Sequence, residues 1–449
     1  MQLHAYCMQG WIHPADVFVT LFGKDEYAFW LDREQHHTQR FSVLGHAYGN
    51  RVFTPAEAHA ALAERAGWGD VPSDADTTLP FAFRPGFVGW QDYPQDPLAG
   101  IDDAHGTWLE VREALVFDHA ASRVYFVGYF ATKAAFQHWL EAAMLRLALS
   151  GGQQIGYKMR NAAASPAVPV SIAHTDDSYL GLIARAQQHI AAGDVYQLCL
   201  TNRIELEHSA NTLEVFLRLR ESNPAPYAAY VRAGDTALVC SSPEQFLSVS
   251  ANGQLSTRPI KGTRPRSADT VIDAANAAEL ANDPKERAEN LMIVDLMRND
   301  LARVAEPNTV AVTQLFEVES YATVHQLVST VEAQLQTGAT VEQALSAAFP
   351  GGSMTGAPKI RAMQLIDQLE GAPRGVYSGV VGHLGIDGSA DLGMVIRSLV
   401  FHGSTVSLGV GGGITIDSNP EAELEETKLK AAALLSALNS PDPWQVLAR

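Results

Sequence analysis

Two stretches of the sequence each offer a pair of glutamates at helical spacing. In DPKERAENLMIVDLMRNDLARV (283–304) the pair is Glu286 and Glu289. In EAELEETKLKAAALLSAL (421–438) it is Glu423 and Glu426, with Lys430 a turn further on. Residues at i and i+3 share a helix face. Carboxylates from two facing helices are hard oxygen donors that suit Mg²⁺, leaving room for water and an anionic substrate group. Solvated helix faces carry the same pattern, with Glu426–Lys430 an ordinary i,i+4 pair, and pattern alone does not choose.

RPIKGTRPR (258–266) gathers four cations, Arg258, Lys261, Arg264 and Arg266, in an otherwise acidic chain. Its prolines and glycine make it bent or extended, not helical. It is either a patch for a polyanion or a loop that presents one lysine to chemistry. FPGGSMTGAPKIRAMQLID (349–367) is a glycine-rich turn entering a helix, where free N–H groups suit an anion. Ala357 after Gly356 rules out a P-loop, which requires lysine there. The glycines of GVGGGITIDSNP (409–420) let a backbone approach a ligand closely, or form a plain bulge or turn. Arg397 in MVIRSLV is costly inside an apolar strand unless it meets a carboxylate or the surface.

These residues need elements to hold them. Asp283 before Pro284 is a helix start: a capping carboxylate, then proline where its missing N–H is harmless. Leu291, Val294 and Met297 are expected to face a core, as are Leu424, Ala431, Leu435 and Leu438 on the second helix. Residues 374–403 predict a β-hairpin turning at IDGSAD, with Tyr377 early in its first strand and Arg397 late in its second. Upstream, FSVLGHAYGN and SRVYFVGYF read as strands, and TPAEAHAALAERA and KAAFQHWLEAAMLRLAL as helices. The organisation expected is an N-terminal region at 1–150, a Gly/Ala/Ser/Pro-rich linker or surface crossing at 151–170, and a catalytic region at 171–440. Strands come in clusters, which points to antiparallel α+β architecture, not a doubly wound parallel fold.

With 449 residues and 47% hydrophobic content a large core is available. A formal charge of −18 argues against nucleic acid or an anionic membrane as the main partner. Three scattered cysteines show no zinc or disulfide spacing. Neither a signal peptide nor a membrane span is evident, so a cytoplasmic protein is expected.

In family order the chain carries GDVYQ (193–197), NPAPY (223–227), SPEQF (242–246), RPIKGTRPR (258–266), KERAENLMIVDLMRNDLARV (285–304), HQLVS (325–329), GGSMTGAPKIRAM (351–363), RGVYSG (374–379), VIRS (395–398) and GGGITIDSNPEAELEETKLKA (411–431). These closely resemble the motifs of the chorismate-utilising enzymes, which include anthranilate, aminodeoxychorismate, isochorismate and salicylate synthases. The resemblance covers about 240 residues and is weaker toward the N-terminus, where FRPGFVGWQDYP (83–94) departs from the family pattern.

The resemblance implies two packed antiparallel sheets flanked by helices in one large chorismate-binding unit. By position it makes Glu289 and Glu426 direct Mg²⁺ ligands, with Glu286 and Glu423 acting directly or through water. Tyr377 and Arg397 match the pair that holds the enolpyruvyl carboxylate. Gly412 and Gly413, with Lys430, complete an anion pocket, and Ser353 joins the substrate-binding set. Glu244 matches the general acid that assists departure of the C4 hydroxyl, and His325 a histidine beside the ring.

Gln197 stands where the water-using branches carry a lysine, which implies ammonia as the nucleophile. Lys261 stands where anthranilate synthases have alanine, and its PIKGT context resembles aminodeoxychorismate synthases. In that branch the lysine attacks C2 while the C4 hydroxyl leaves, ammonia adds at C4, and the lysine is expelled. The amine must be neutral to attack, so the pocket is expected to lower its pKa, with Arg264 and Arg266 bracing the loop.

No glutaminase Cys–His–Glu arrangement is found and no appended lyase domain is expected. A separate glutamine amidotransferase subunit is therefore the implied partner. The family can hold tryptophan near a Leu-Leu-x-Ser segment; here that stretch reads FWLDREQ (29–35), with Arg33 near the serine position.

Overall fold

The computed structural model describes residues 1–36, 38, 40–64, 68, 79–96, 105–151, 154–162 and 165–447. Among these, two antiparallel sheets of twelve and ten strands carry the architecture. The larger sheet runs from Gln2–Met8 through Arg123–Phe130, Glu113–Asp118, Phe41–His46 and Tyr27–Asp32. It continues through Tyr227–Ala233, Thr236–Ser242, Ser398–His402 and Thr405–Ile414 to Gln197–Glu207, which Gly356–Ala357 and Val168–Ile172 also join.

The second sheet starts at Ile260–Pro265 and passes through Val324–Gln334, Gln254–Arg258, Gln245–Val249, Ala390–Met394 and Val380–Gly385 to Gly86–Gln91, Gly106–Glu110 and Val52–Phe53. Ala311–Ser320 pairs beside Val324–Gln334.

The first 150 residues are therefore divided between the sheets. Tyr27–Asp32 pairs with Tyr227–Ala233 in one, and Gly86–Gln91 with Val380–Gly385 in the other. Within 151–170 lie the helix Ile155–Arg160 and the start of the strand Val168–Ile172; residues 152–153 and 163–164 fall outside the described residues.

The two glutamate helices form as their caps dictate. Asp283 accepts from the N–H groups of Lys285 and Glu286 at the head of Pro284–Ala302. Asn419 accepts from Ala422 at the head of Pro420–Ala437. Such caps satisfy backbone donors that the first turn leaves open.

The first helix buries Ile293, Val294, Met297 and Leu301 against Leu255, Val331 and Ala333 of the second sheet. Leu291, expected in that face, is half exposed. It lies about 60° around the helix from Val294 and about 120° from Met297, at the margin of the buried face. On the second helix Leu424, Ala431, Leu435 and Leu438 are buried as expected.

Two further expectations change. The hairpin strands are Val380–Gly385 and Ala390–Met394, so Tyr377 precedes the first strand and Arg397 follows the second. Arg397 lies where the chain leaves one sheet for the other, between Ala390–Met394 and Ser398–His402, with a left-handed φ of 52°. The glycines of 409–413 belong to the strand Thr405–Ile414 itself, not to a connecting turn.

Candidate active site

The edge strand Ile260–Pro265, the strands Gln197–Glu207 and Thr405–Ile414, and the two glutamate helices converge on one cluster. At its base, Gln197 is buried and neither amide atom has a protein partner. A Cβ on Gly413 would fall 2.4 Å from Gln197 Nε2 and 3.0 Å from Lys261 Nζ. Only glycine lets those two side chains lie over the strand. A Cβ on Gly412 would meet Glu423 Oε2 at 3.4 Å and Lys430 Nζ at 3.5 Å. The two adjacent glycines thus bring both halves of the cluster close to one strand.

Lys261 reaches in from the edge strand, and its Nζ lies 3.6 Å from Glu289 Oε2. Gly262 beside it takes φ 76°, and a Cβ there would strike Leu280 and Glu286. Arg264 pairs with Glu279 and Asp283, and with Glu286 at 3.6 Å. Arg266 engages Asp273 and the Tyr321 carbonyl. These arginines therefore hold the loop against the helix Thr270–Asn282 and the start of its successor. Arg258 pairs with Glu319. The cation-rich loop presents Lys261 to the cluster.

Glu244 is buried, and its carboxyl is pushed up from 4.5 to about 7 by burial. Hydrogen bonds from Ser353 and the Ile260 N–H, and the charge of Lys261, only partly offset the desolvation. A carboxyl titrating near neutrality holds or releases a proton with little cost, as a general acid requires.

Each of the four helix glutamates has a basic neighbour. Glu286 faces Arg264, Glu289 faces Lys261 and Lys285, Glu423 faces Lys285, and Glu426 meets Lys430 at 2.9 Å. Burial, then the neighbouring Glu289, raises the Glu286 carboxyl. At Glu426 burial acts upward, but Lys430, Lys285 and Lys261 together outweigh it and the net shift is downward. Lys430 also donates to the Gly411 carbonyl at 2.7 Å, and Ser418 donates to Glu423 at 2.8 Å.

The donor set fits a hard divalent cation in chemistry: carboxylates from two helices, with a lysine ammonium already standing between Glu289 and Glu423 as a cation would. As they stand, no three His, Cys, Asp or Glu side chains among the described residues are grouped closely enough to hold a metal. The interleaved basic groups occupy the space between them.

Tyr377 is buried, its ring laid over Gly409, where a Cβ would overlap it at 2.2 Å. Arg397 lies in the field of Tyr377 and Glu426, and desolvation lowers its pKa despite both. Its guanidinium has no hydrogen bond or ion pair among the described residues, unlike Arg374 nearby. Arg374 is consumed by Glu370 and by the Met354 and Cys199 carbonyls. An unpaired, desolvated guanidinium is a ready receptor for a carboxylate.

His325 is held elsewhere. Its Nδ1 contacts Ser320 Oγ at 2.8 Å and its Nε2 contacts Asp273 at 3.0 Å. Nδ1 thus ties the strand Val324–Gln334 to its neighbour Ala311–Ser320, and Nε2 ties it to the helix Thr270–Asn282. Sequence reasoning did not single out Lys285, although its i,i+4 spacing to Glu289 is visible, or the Arg374–Glu370 pair beneath the cluster.

Arg33 Nε lies 3.2 Å from Asp391, and its guanidinium stacks 4.3 Å over the Tyr227 ring. The arginine fills part of the cleft between the sheets.

A family model described as chorismate binding enzyme matches residues 27–436. The chain is 41% identical over 454 residues to the aminodeoxychorismate synthase of Streptomyces griseus, covering 95% of this chain and 63% of that protein. Aminodeoxychorismate synthase component 1 of Escherichia coli is 44% identical over 264 residues, 59% of this chain and 58% of its own. Anthranilate synthase component 1 of Streptomyces coelicolor is 35% identical over 465 residues, 97% of this chain and 88% of its own.

The chain thus spans less than two thirds of the length of the Streptomyces griseus relative. Among solved structures, anthranilate synthase component I from Streptococcus pneumoniae superposes with a TM-score of 0.70 at 25% identity, covering 97% of this chain and 92% of that one. The menaquinone-specific isochorismate synthase of Escherichia coli gives 0.71 at 19% identity, covering 97% and 94%, a likeness of fold.

Proposed function

The chain belongs to the chorismate-binding enzyme family, and from that premise we propose that it aminates chorismate at C4 to give 4-amino-4-deoxychorismate. Ammonia would come from a separate glutamine amidotransferase subunit, and the enolpyruvyl group would be retained. The observation that carries this reading is the placement of Lys261 beside Gly413 and Gln197, on the same cluster as Glu244.

In this scheme Arg397 and Tyr377 bind the enolpyruvyl carboxylate. Gly412, Gly413 and Lys430 line the anion pocket, and Ser353 keeps the Glu244 carboxyl oriented. Mg²⁺, when bound by Glu289 and Glu426 with Glu286 and Glu423 behind them, would neutralise the ring carboxylate. Glu244 gives its proton to the departing C4 hydroxyl, which leaves as water. Lys261 forms a bond to C2 as both ring double bonds shift and the C4–O bond breaks. Ammonia then adds at C4, both double bonds shift back, the C2–N bond to Lys261 breaks, and a proton from the added nitrogen restores Glu244.

Gln197 cannot serve as a base, which supports ammonia over water as the nucleophile. The unpaired Cys7, Cys199 and Cys240 support a reducing, cytoplasmic setting. Among the described residues no helix is long and apolar enough to cross a membrane.

A second reading, anthranilate synthesis, is favoured by the nearly full-length match to the Streptomyces coelicolor protein. Product analysis separates the two. Incubation with chorismate, Mg²⁺ and ammonium at mildly alkaline pH should yield a compound with amine in place of hydroxyl and the enolpyruvyl group intact. Fluorescent anthranilate with pyruvate would overturn the proposal.

A further inference from the structure

We propose that Lys285 is a tethered counter-cation of the glutamate cluster, one whose ammonium a divalent ion must displace in order to bind. The inference rests on the reading of the four glutamates as metal ligands. Its Nζ lies 3.3 Å from Glu423 Oε1 and 3.8 Å from Glu289 Oε1. It is thereby the one basic side chain, among the described residues, that is paired to both glutamate helices. Of the two glutamate helices, Arg264 and Lys261 form ion pairs with the first alone, and Lys430 with the second.

Burial separates the partners. The Glu289 and Glu423 side chains are 10% and 7% exposed, whereas that of Lys285 is 49% exposed. Two largely desolvated carboxylates facing each other across a helix pair repel strongly without a cation between them. Lys285 supplies that cation from the first turn of its own helix and bridges the two carboxylates.

The four carboxylates are paired with Arg264, Lys261, Lys285 and Lys430, and Arg264 is shared with Glu279 and Asp283. A dication that takes Glu289 and Glu423 as ligands competes directly with the ammonium already held between them. Lys285 is the group that can withdraw most cheaply: its four-carbon stem rotates freely and its head already borders water. Lys261 and Lys430 are 13% and 25% exposed, and Lys430 is also fixed to the Gly411 carbonyl.

The test is a Lys285→Met variant of the full chain, titrated with Mn²⁺ and followed by the electron paramagnetic resonance of the free ion. Unfolding temperatures in chelator and in excess Mg²⁺ are measured alongside. The variant should bind Mn²⁺ about fivefold tighter or more, the scale of a half-buried ion pair. It should also melt lower than wild type in chelator and gain more from Mg²⁺.

Arg287→Met is the control for long-range charge. Arg287 is on the same turn but donates to the Ala281 carbonyl and lies over Phe316, away from the glutamates. It should leave Mn²⁺ affinity unchanged. Equal affinity in wild type and Lys285→Met, or equal tightening in Arg287→Met, would overturn displacement. If wild type binds Mn²⁺ and Glu289→Gln abolishes it while Lys285→Met changes nothing, only this inference falls. If wild type has no saturable Mn²⁺ site, the metal reading falls with it.

Discussion

Lys261 Nζ lies 3.6 Å from Glu289 Oε2, so the proposed nucleophile and a proposed metal ligand share one carboxylate. The contact is longer than a hydrogen bond and leaves both groups available to other partners. Lys261→Ala should keep chorismate affinity within about threefold while lowering kcat at least about a hundredfold, the usual scale for loss of a covalent nucleophile. Calorimetry of substrate binding and steady-state amination check the two halves. A kinetically silent variant would remove the covalent lysine from the scheme.

Glu244 trades stability for its proton. Its carboxyl is raised from 4.5 to about 7, so between those values the folded chain keeps a proton that the unfolded chain has released. Stability attributable to this group therefore falls as pH rises through that window, by roughly 3 kcal/mol in all. Glu244→Gln should abolish most amination yet raise the unfolding temperature at pH 8. At pH 4 to 5 the difference should shrink toward zero. Thermal melts across pH decide the matter.

Glu426 is about half exposed, so Glu426→Gln should fold normally. It should raise both the Mg²⁺ concentration needed for half-maximal rate and the chorismate KM, each about tenfold, because one ion is expected to join protein and substrate. Initial rates over a grid of the two concentrations test this; a wild-type Mg²⁺ requirement would take Glu426 out of the ligand set.

Arg33 ties the end of Tyr27–Asp32 in the larger sheet to Asp391 in the second, with Tyr227 donating to the same carboxylate at 3.1 Å. Arg33→Met leaves a largely buried Asp391 without its cation and should cost about 3 kcal/mol of stability. Chemical denaturation measures this, and Arg33→Met/Asp391→Asn should recover part of the loss.

Local chemistry made much of this readable before the fold. Asp283–Pro284 announces a helix start because capping and proline geometry act within one turn, and the cap forms as expected. The carboxylate pairs follow from helix period alone. Leu291 falls at the margin of its helix face because three apolar residues do not fix that face's angle. Arg397 reads as a strand residue because no local signal marks a crossing between sheets; its left-handed backbone depends on tertiary structure. His325 fits a family pattern, but Asp273, some fifty residues upstream, takes its ring nitrogen.

The division of the N-terminal strands between the two sheets has a consequence for synthesis of the chain. Tyr27–Asp32 waits for Tyr227–Ala233, and Gly86–Gln91 waits for Val380–Gly385, nearly three hundred residues later. Neither sheet can close while the C-terminal half is still on the ribosome, so these strands stay open-edged until late in translation. Closing such distant pairs is slow, and unpaired edges invite aggregation in the interval. Until those partners emerge, the nascent N-terminal strands are the part of the chain most in need of shielding.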